Sequence, residues 1–185
     1  MTKIIQIRGM SGAGKTTLAR SFINKYGLKK GELFTLPVMV NDQYLFLGDY
    51  TVKGCAGPDR IQPIEKILIT VNKIYDTNRY KYIFFEHKLL STTTRSVLKV
   101  VAHCGKENFG VVVLDTDFND IVNHIYLRNG GKQINIENQF NGYKSVKRTA
   151  VNLKNMGITV RRYNPYNYDS KGMYELLLDF MHDWS

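Results

Sequence analysis

Short unbroken apolar runs alternate along this chain with longer stretches in which apolar residues recur every three or four positions. KIIQIR (3–8), YKYIFFEH (80–87) and FGVVVLDT (109–116) are runs of the first kind and predict buried strands, and 158–163 predicts a last, shorter one. Leu18, Phe22 and Ile23 fall on one side of a helix predicted over 16–25. Ile64, Ile67, Leu68, Val71 and Ile74 do the same for a helix opened by Pro63 and running to about Tyr75. Further helices are predicted over 93–104, 119–127, 145–156 (ended by Gly157) and 173–181; a basic, Asn/Gly-rich stretch to about Tyr143 separates the second from the third. In LFTLPVMVNDQYLFLGDY (33–50), Asn41-Asp42 predicts a tight turn between two β-rich runs, and Pro37 predicts an edge strand. Strand–helix alternation of this kind predicts a mostly parallel α/β sheet covered on both faces. Without a repeat, low-complexity segment or linker, one domain spanning 1–185 is expected.

Composition narrows the setting. No run nears the roughly 20 apolar residues of a membrane helix, and the apolar start of MTKIIQIRG is too short for a signal peptide. Cys55 and Cys104 are widely separated, which argues against a disulfide framework; a cytoplasmic protein with no membrane partner is the expectation. Charge adds more. The formal net charge is +10, and between Arg128 and Arg162 eight basic residues (Arg128, Lys132, Lys144, Lys147, Arg148, Lys154, Arg161, Arg162) face one acid, Glu137. A solvated basic face would explain this, but a nucleotide needs only two or three cations, so the surplus leans toward a polymeric phosphate such as DNA.

The chemistry-bearing segment is Gly9-Met10-Ser11-Gly12-Ala13-Gly14-Lys15-Thr16, set between the first strand and the first helix. It matches G-x-x-x-x-G-K-[ST] in full, in the strand–loop–helix context that pattern requires. Glycines allow consecutive amides to face inward around an anion, and the helix that follows aims its positive end at the same place. Lys15 is expected to reach the β- and γ-phosphates and the Thr16 hydroxyl to hold Mg²⁺, while Ser11, Ala13 and Thr17 are small enough for close phosphate approach. The loop marks a nucleoside triphosphate binder. Asn72-Lys73-Ile74-Tyr75 lacks the aspartate of a guanine reader, and the D-x-x-G form at 169–172 lies too near the C-terminus to sense a γ-phosphate. ATP is therefore the expected donor.

With this loop and length, the chain resembles the small P-loop kinases. That resemblance implies a three-layer fold with a central, mostly parallel five-stranded sheet and a lid after the fourth strand, at about 128–148. Kinase chemistry further requires a carboxylate to orient the acceptor hydroxyl, a second Mg²⁺ anchor, and cations over the migrating group. Asp49, closing an apolar segment where such kinases place their base, is the first candidate for the carboxylate, against a turn-forming role. Asp59 competes as an acceptor-binding or loop-forming residue, and Arg60 beside it is a candidate for the acceptor side or a partner for Asp59. Glu86 ends an apolar strand expected to emerge beside the loop, as Mg²⁺ anchor or base. Arg128 corresponds to the lid arginines of these kinases, with Lys132, Lys144, Lys147 and Arg148 as helpers. His87 is read as structural or acceptor-facing, and Cys55 as packing.

GDYTVKGCAGPDRI (48–61) carries a finer resemblance. Gly48-Asp49-Tyr50 followed by Cys55-Ala56-Gly57-Pro58-Asp59 is similar to a segment of bacteriophage P-loop kinases that phosphorylate 5-hydroxymethyluracil in DNA, with Ala56 in place of the usual glycine. This implies DNA as partner, a base exposed from its stack, and Tyr50, Asp59 and Arg60 at the substrate, with Tyr44, Tyr50 or Tyr143 available for stacking. Two alternatives stay open: a kinase for nucleosides, nucleotides or polynucleotide 5′-hydroxyls, and a non-catalytic ATP-gated DNA-binding module. Oligomeric state is left unassigned.

Overall fold

In the computed structural model, which describes residues 1–52 and 57–184, the sheet is built outward from the strand that precedes the glycine-rich loop. That strand, β1 (Lys3–Arg8), pairs in parallel with β5 (Tyr82–Glu86) on one side and β6 (Phe109–Leu114) on the other. β4 (Tyr44–Leu47) and β7 (Thr159–Tyr163) extend the parallel array beyond β5 and β6, giving the five parallel strands the sequence implies. Two more strands, β2 (Lys29–Leu33) and β3 (Leu36–Val40), add an antiparallel extension, so the sheet has seven strands in the order β2-β3-β4-β5-β1-β6-β7.

The expected count of five misses β2 because KKGEL has no apolar alternation, with Lys29, Lys30 and Glu32 all exposed. The same strand moves the edge: Pro37 lies in β3, opposite Glu32, not on a free edge. A proline cannot donate to a ladder, but its carbonyl still accepts from the Gly48 amide at 2.8 Å. The Asn41-Asp42 turn is present. The Asn41 side chain closes it by accepting from the amides of Gln43 and Tyr44 at 2.9 and 2.8 Å.

Register decides which side chains meet which helices. Ile5 is aligned with Phe84 and with Gly110, and this face meets α1 (Lys15–Lys25) and α7 (Tyr174–Asp183). Phe22 of α1, fully buried, packs against Tyr44, Phe46 and Phe84 at ring separations of 5.1–5.5 Å. Tyr44, a stacking candidate in the sequence, is partly buried and packs against this core. Gln6 and Arg8 point to the other face, which carries α3 (Lys88–Ser91) and α4 (Arg95–Cys104), with α2 (Ile64–Asp76) against α4.

The largest departure from expectation lies after α5 (Phe118–Arg128). α6 spans Ile136–Asn155, 20 residues, starting nine positions before the predicted Ser145. Asn135 caps it by accepting from the Asn138 amide at 2.9 Å. This first half lacks a buried apolar stripe: Ile136 and Phe140 are exposed, so periodicity alone leaves it unmarked. No helix among the described residues is long and apolar enough to cross a membrane.

Gly110, inside the buried strand β6, is explained by α7. A Cβ there would lie 2.7 Å from Cζ of Phe180, a rigid ring with no free end to swing away. Gly110→Val is expected to lower unfolding free energy by about 1–3 kcal/mol in denaturant titrations, whereas an unchanged midpoint would mean α7 does not approach as closely.

Candidate functional site

β1 delivers the chain into the 9–16 loop at the carboxyl edge of the sheet, between β5 and β6. Gly12 and Gly14 have φ of +84° and +94°, a region that disfavours side-chain-bearing residues. The loop's carbonyls are tied down from outside. Lys15 Nζ donates to the carbonyls of Gly9 and Met10, both at 3.0 Å. His124 Nδ1 lies 2.9 Å from the Gly12 carbonyl, and the Thr116 hydroxyl donates to that of Ala13 at 3.1 Å. The Gly12, Gly14, Lys15 and Thr16 amides have no backbone partner among the described residues. They form a ready anion cradle at a helix N-terminus.

Glu86 ends β5 beside this cradle, where the apolar run IFFE places it. Its carboxylate is 3.9 Å from Lys15 Nζ and accepts from the Thr16 hydroxyl at 3.4 Å, with Lys15 and Glu86 only 7% and 2% exposed. Burial pushes the Glu86 carboxyl up to about 7, and the negative charge of Asp59 adds to this, while Lys15 and the Thr16 hydroxyl pull it down. The Thr16 hydroxyl and one carboxylate make an oxygen-only donor set. That suits Mg²⁺, which takes few protein ligands and completes its shell with phosphate and water. No cluster of three or more His, Cys, Asp or Glu side chains capable of holding a metal occurs among the described residues.

Asp59 and His87 complete the cluster. Asp59 sits in a short turn at Pro58–Arg60 and accepts from the Lys88 amide at 2.8 Å, with His87 Nε2 at 3.9 Å. His87 is buried, and its Nδ1 accepts from the Leu89 amide at 3.2 Å, capping α3. This assigns the hydrogen of a neutral ring to Nε2, which has no hydrogen-bond partner among the described residues. Burial lowers the His87 pKa, opposed by Asp59 and assisted by Lys15. Tyr50, also buried, has its hydroxyl unpartnered among the described residues, and burial followed by the charges of Glu86 and Asp59 raises its pKa.

The remaining sequence candidates divide. Asp49 does not join the cluster. Its carboxylate is held by Lys30 Nζ at 2.6 Å and by the Thr51 amide and hydroxyl at 2.9 and 2.6 Å, and these bonds, Lys30 first, depress it to about 2. Its backbone bridges to Gly57, pinning the base of the 48–57 loop, and a Cβ on Gly48 would fall 2.3 Å from the Gly57 carbonyl carbon. Arg128 is exposed at the end of α5 with no ion pair among the described residues. Tyr143 packs on Phe118 at 5.4 Å with Lys147 over its ring at 4.3 Å, so one of its faces is taken. Cys55 and Ala56, and the side chain of Arg60, lie outside the described residues. Sequence reasoning missed Ser91, His124 and Thr116 as supports of the loop. They act from 82, 112 and 103 positions away, and no local signal marks them.

A parallel sheet whose central strand feeds this loop, with an acid at the end of the next strand, defines a small P-loop kinase. The chain belongs to the 5-hmdU DNA kinase family, which residues 1–164 match. It is a phosphotransferase with a hydroxyl acceptor and a nucleotide-binding P-loop. No curated protein sequence matches it. Among solved structures it is similar to YorR from Bacillus subtilis, crystallised with phosphorylated GDP (TM-score 0.61, 14% identity, 97% of this chain and 96% of that one). It is also similar to shikimate kinase from Acinetobacter baumannii in complex with shikimate (0.53, 14%, 99% and 94%) and to an unliganded sugar kinase from Janibacter (0.54, 11%, 98% and 95%). At such identities the likeness is one of fold.

The raised Glu86 pKa has a consequence for the unliganded protein. A carboxyl that titrates near 7 when folded and near 4.5 when unfolded stabilises the fold below the lower value. That contribution is lost as pH rises through the upper one. Relative to wild type, Glu86→Gln is therefore expected to gain roughly 2 kcal/mol between pH 5 and pH 7.5 in paired denaturant titrations. A stability difference that does not change with pH would mean Glu86 titrates normally.

Proposed function

We propose that this kinase transfers the γ-phosphoryl group of ATP to the hydroxymethyl group of 5-hydroxymethyluracil in DNA. The phosphomethyl base would then serve further hypermodification of a bacteriophage genome, in the host cytoplasm. The observation that carries the acceptor is the family match over residues 1–164. The machinery follows from the cluster around Glu86.

On this reading the amides of Gly9 to Thr17 wrap the triphosphate, and Lys15 exchanges the Gly9 and Met10 carbonyls for phosphate oxygens. Thr16 and Glu86 would hold Mg²⁺, which would neutralise charge on the phosphate chain. Asp59, with Glu86 and His87 around it, orients the acceptor hydroxyl and takes its proton as the new O–P bond forms and the bond to the β-phosphate oxygen breaks, releasing ADP. Asp59 takes this role ahead of Asp49 because Asp49 is already saturated by Lys30 and Thr51. Arg128, without an ion pair of its own among the described residues, covers the migrating group, assisted by Lys132 in the same 128–148 lid. Tyr50 and Arg60 lie on the acceptor side of the same loop.

The direct experiment offers γ-labelled ATP and purified protein to three acceptors: DNA containing 5-hydroxymethyluracil, ordinary 5′-hydroxyl DNA, and free nucleosides. Label is expected on the modified DNA alone, and Lys15→Ala is expected to reduce it at least 10³-fold, on the order of one lost transition-state charge contact. Label confined to nucleosides or to 5′-ends would replace the acceptor proposed here.

A second comparison assigns the base. Asp59→Asn should lower kcat by about 10²-fold or more with KM for ATP unchanged, and Asp49→Asn by less than about 10-fold. The reverse ranking would return the role to Asp49.

A further inference from the structure

Gly142 stands in the second turn of the 20-residue helix α6, where glycine is less favourable than other residues. A Cβ at this position would lie 2.8 Å from Cε of Met10, so the helix backbone meets the tip of a flexible side chain of the phosphate-binding loop. Beside that contact opens a cleft of about 260 Å³, bounded by the loop's first residues, by the segment Lys88–Thr92 and by the early turns of α6. Among the described residues its polar lining is Ser11, Thr92, Asn138 and Gln139, with Lys88 the one charged residue and no carboxylate, and Leu89, 48% exposed, adds an apolar wall.

Two side-chain amides and two hydroxyls both donate and accept hydrogen bonds, which suits the edge of a neutral heterocycle better than a free phosphate. The volume lies just below the range usual for drug-sized ligands, which suits one base and not a stacked pair. Two of its walls are functional: Ser11 belongs to the phosphate cradle, and the Lys88 amide is bonded to Asp59. The cleft thus borders the phosphate cradle and a residue whose amide is bonded to Asp59.

We propose that this cleft is the acceptor subsite, taking a single pyrimidine base extruded from DNA, with the Asn138 and Gln139 amides hydrogen-bonded to its edge. The inference rests on the acceptor reading above and shifts recognition from the 48–61 loop toward the lid helix. Because only one base fits, duplex substrate has to pay unstacking that single-stranded substrate avoids.

The test measures kcat and KM for an oligonucleotide with one 5-hydroxymethyluracil, single-stranded and in duplex, and KM for ATP. The variants are Asn138→Ala, Gln139→Ala and Gln139→Trp. Asn138 is exposed and Gln139 half-buried on the helix surface, so the fold tolerates all three. Each alanine variant is expected to raise acceptor KM about 5- to 10-fold, the effect of one lost hydrogen bond, with ATP KM within twofold of wild type. Gln139→Trp, which fills the mouth, should transfer less than about 1% as fast while binding ATP normally, and wild type should prefer the single strand. Wild-type transfer with unchanged acceptor KM in all three variants, or a parallel rise in ATP KM, overturns the cleft assignment alone. Wild-type protein that leaves this DNA unlabelled removes the acceptor reading and the cleft together.

Discussion

A turn that presents consecutive amides to an anion must settle its carbonyls on the opposite side, and the 9–16 loop depends on how that is done. Four of the five carbonyls from Gly9 to Ala13, all but that of Ser11, are met by three side chains: Lys15, His124 and Thr116. His124 lies in α5 and Thr116 just before it, so the segment after β6 serves as an outer brace. Lys15 is the exception, since the same ammonium group is wanted by phosphate. Its Nζ rests on the loop it serves, 3.9 Å from Glu86. A buried cation and a buried acid at that distance offset each other's desolvation only in part, which is why the Glu86 carboxyl stays high.

The second constraint is a junction on the far face of β1. Arg8 is fully buried without a carboxylate partner among the described residues, and burial lowers its guanidinium to about 9. Its hydrogen bonds go to Gln6 Oε1 at 2.7 Å and to the carbonyls of Ser91 and Thr93 at 3.4 and 3.0 Å. The Ser91 carbonyl also accepts from the Thr149 hydroxyl of α6 at 3.1 Å, while the Ser91 hydroxyl receives the Gly9 amide at 3.4 Å. One residue at the end of α3 thus joins the strand that enters the loop, the loop's first amide and the lid helix. The phosphate loop and α6 are fixed relative to each other through it.

What could be read from the sequence follows the range of the interactions involved. The loop was legible because its chemistry is local: eight consecutive residues, Gly9 to Thr16, set backbone angles and helix polarity together. Glu86 was legible because a continuous apolar run ending in an acid marks where a parallel strand emerges. Asp49 and Asp59 were not separable in that way. Both sit in turn-rich sequence ten residues apart, and what distinguishes them is that β2, a strand with no hydrophobic signature, brings Lys30 to Asp49 while α3 offers its Lys88 amide to Asp59. The early start of α6 was hidden for a related reason. Its first two turns carry Ile136 and Phe140 outward, so they lack the buried stripe that announces a helix, and the capping Asn135 lies among other asparagines.

The +10 charge acquires a location once ion pairs are considered. Lys147 and Arg162 share Asp115, at 3.4 and 2.6 Å, and Arg161 lies 3.7 Å from Asp183, so the β7 side of the basic segment is largely neutralised locally. Arg128, Lys132, Lys144, Arg148 and Lys154 form no ion pair among the described residues. They occupy the end of α5, the turn after it and the length of α6, a helix of about 30 Å at 1.5 Å per residue. The uncompensated field therefore runs along the same helix whose first turns border the cleft beside the phosphate loop. A polyanion drawn to that field would lie along α6 with one of its bases within reach of the cleft. A free nucleoside would gain nothing from the outer half of the helix, so charge placement, more than charge total, is what supports the proposed DNA acceptor over a small one.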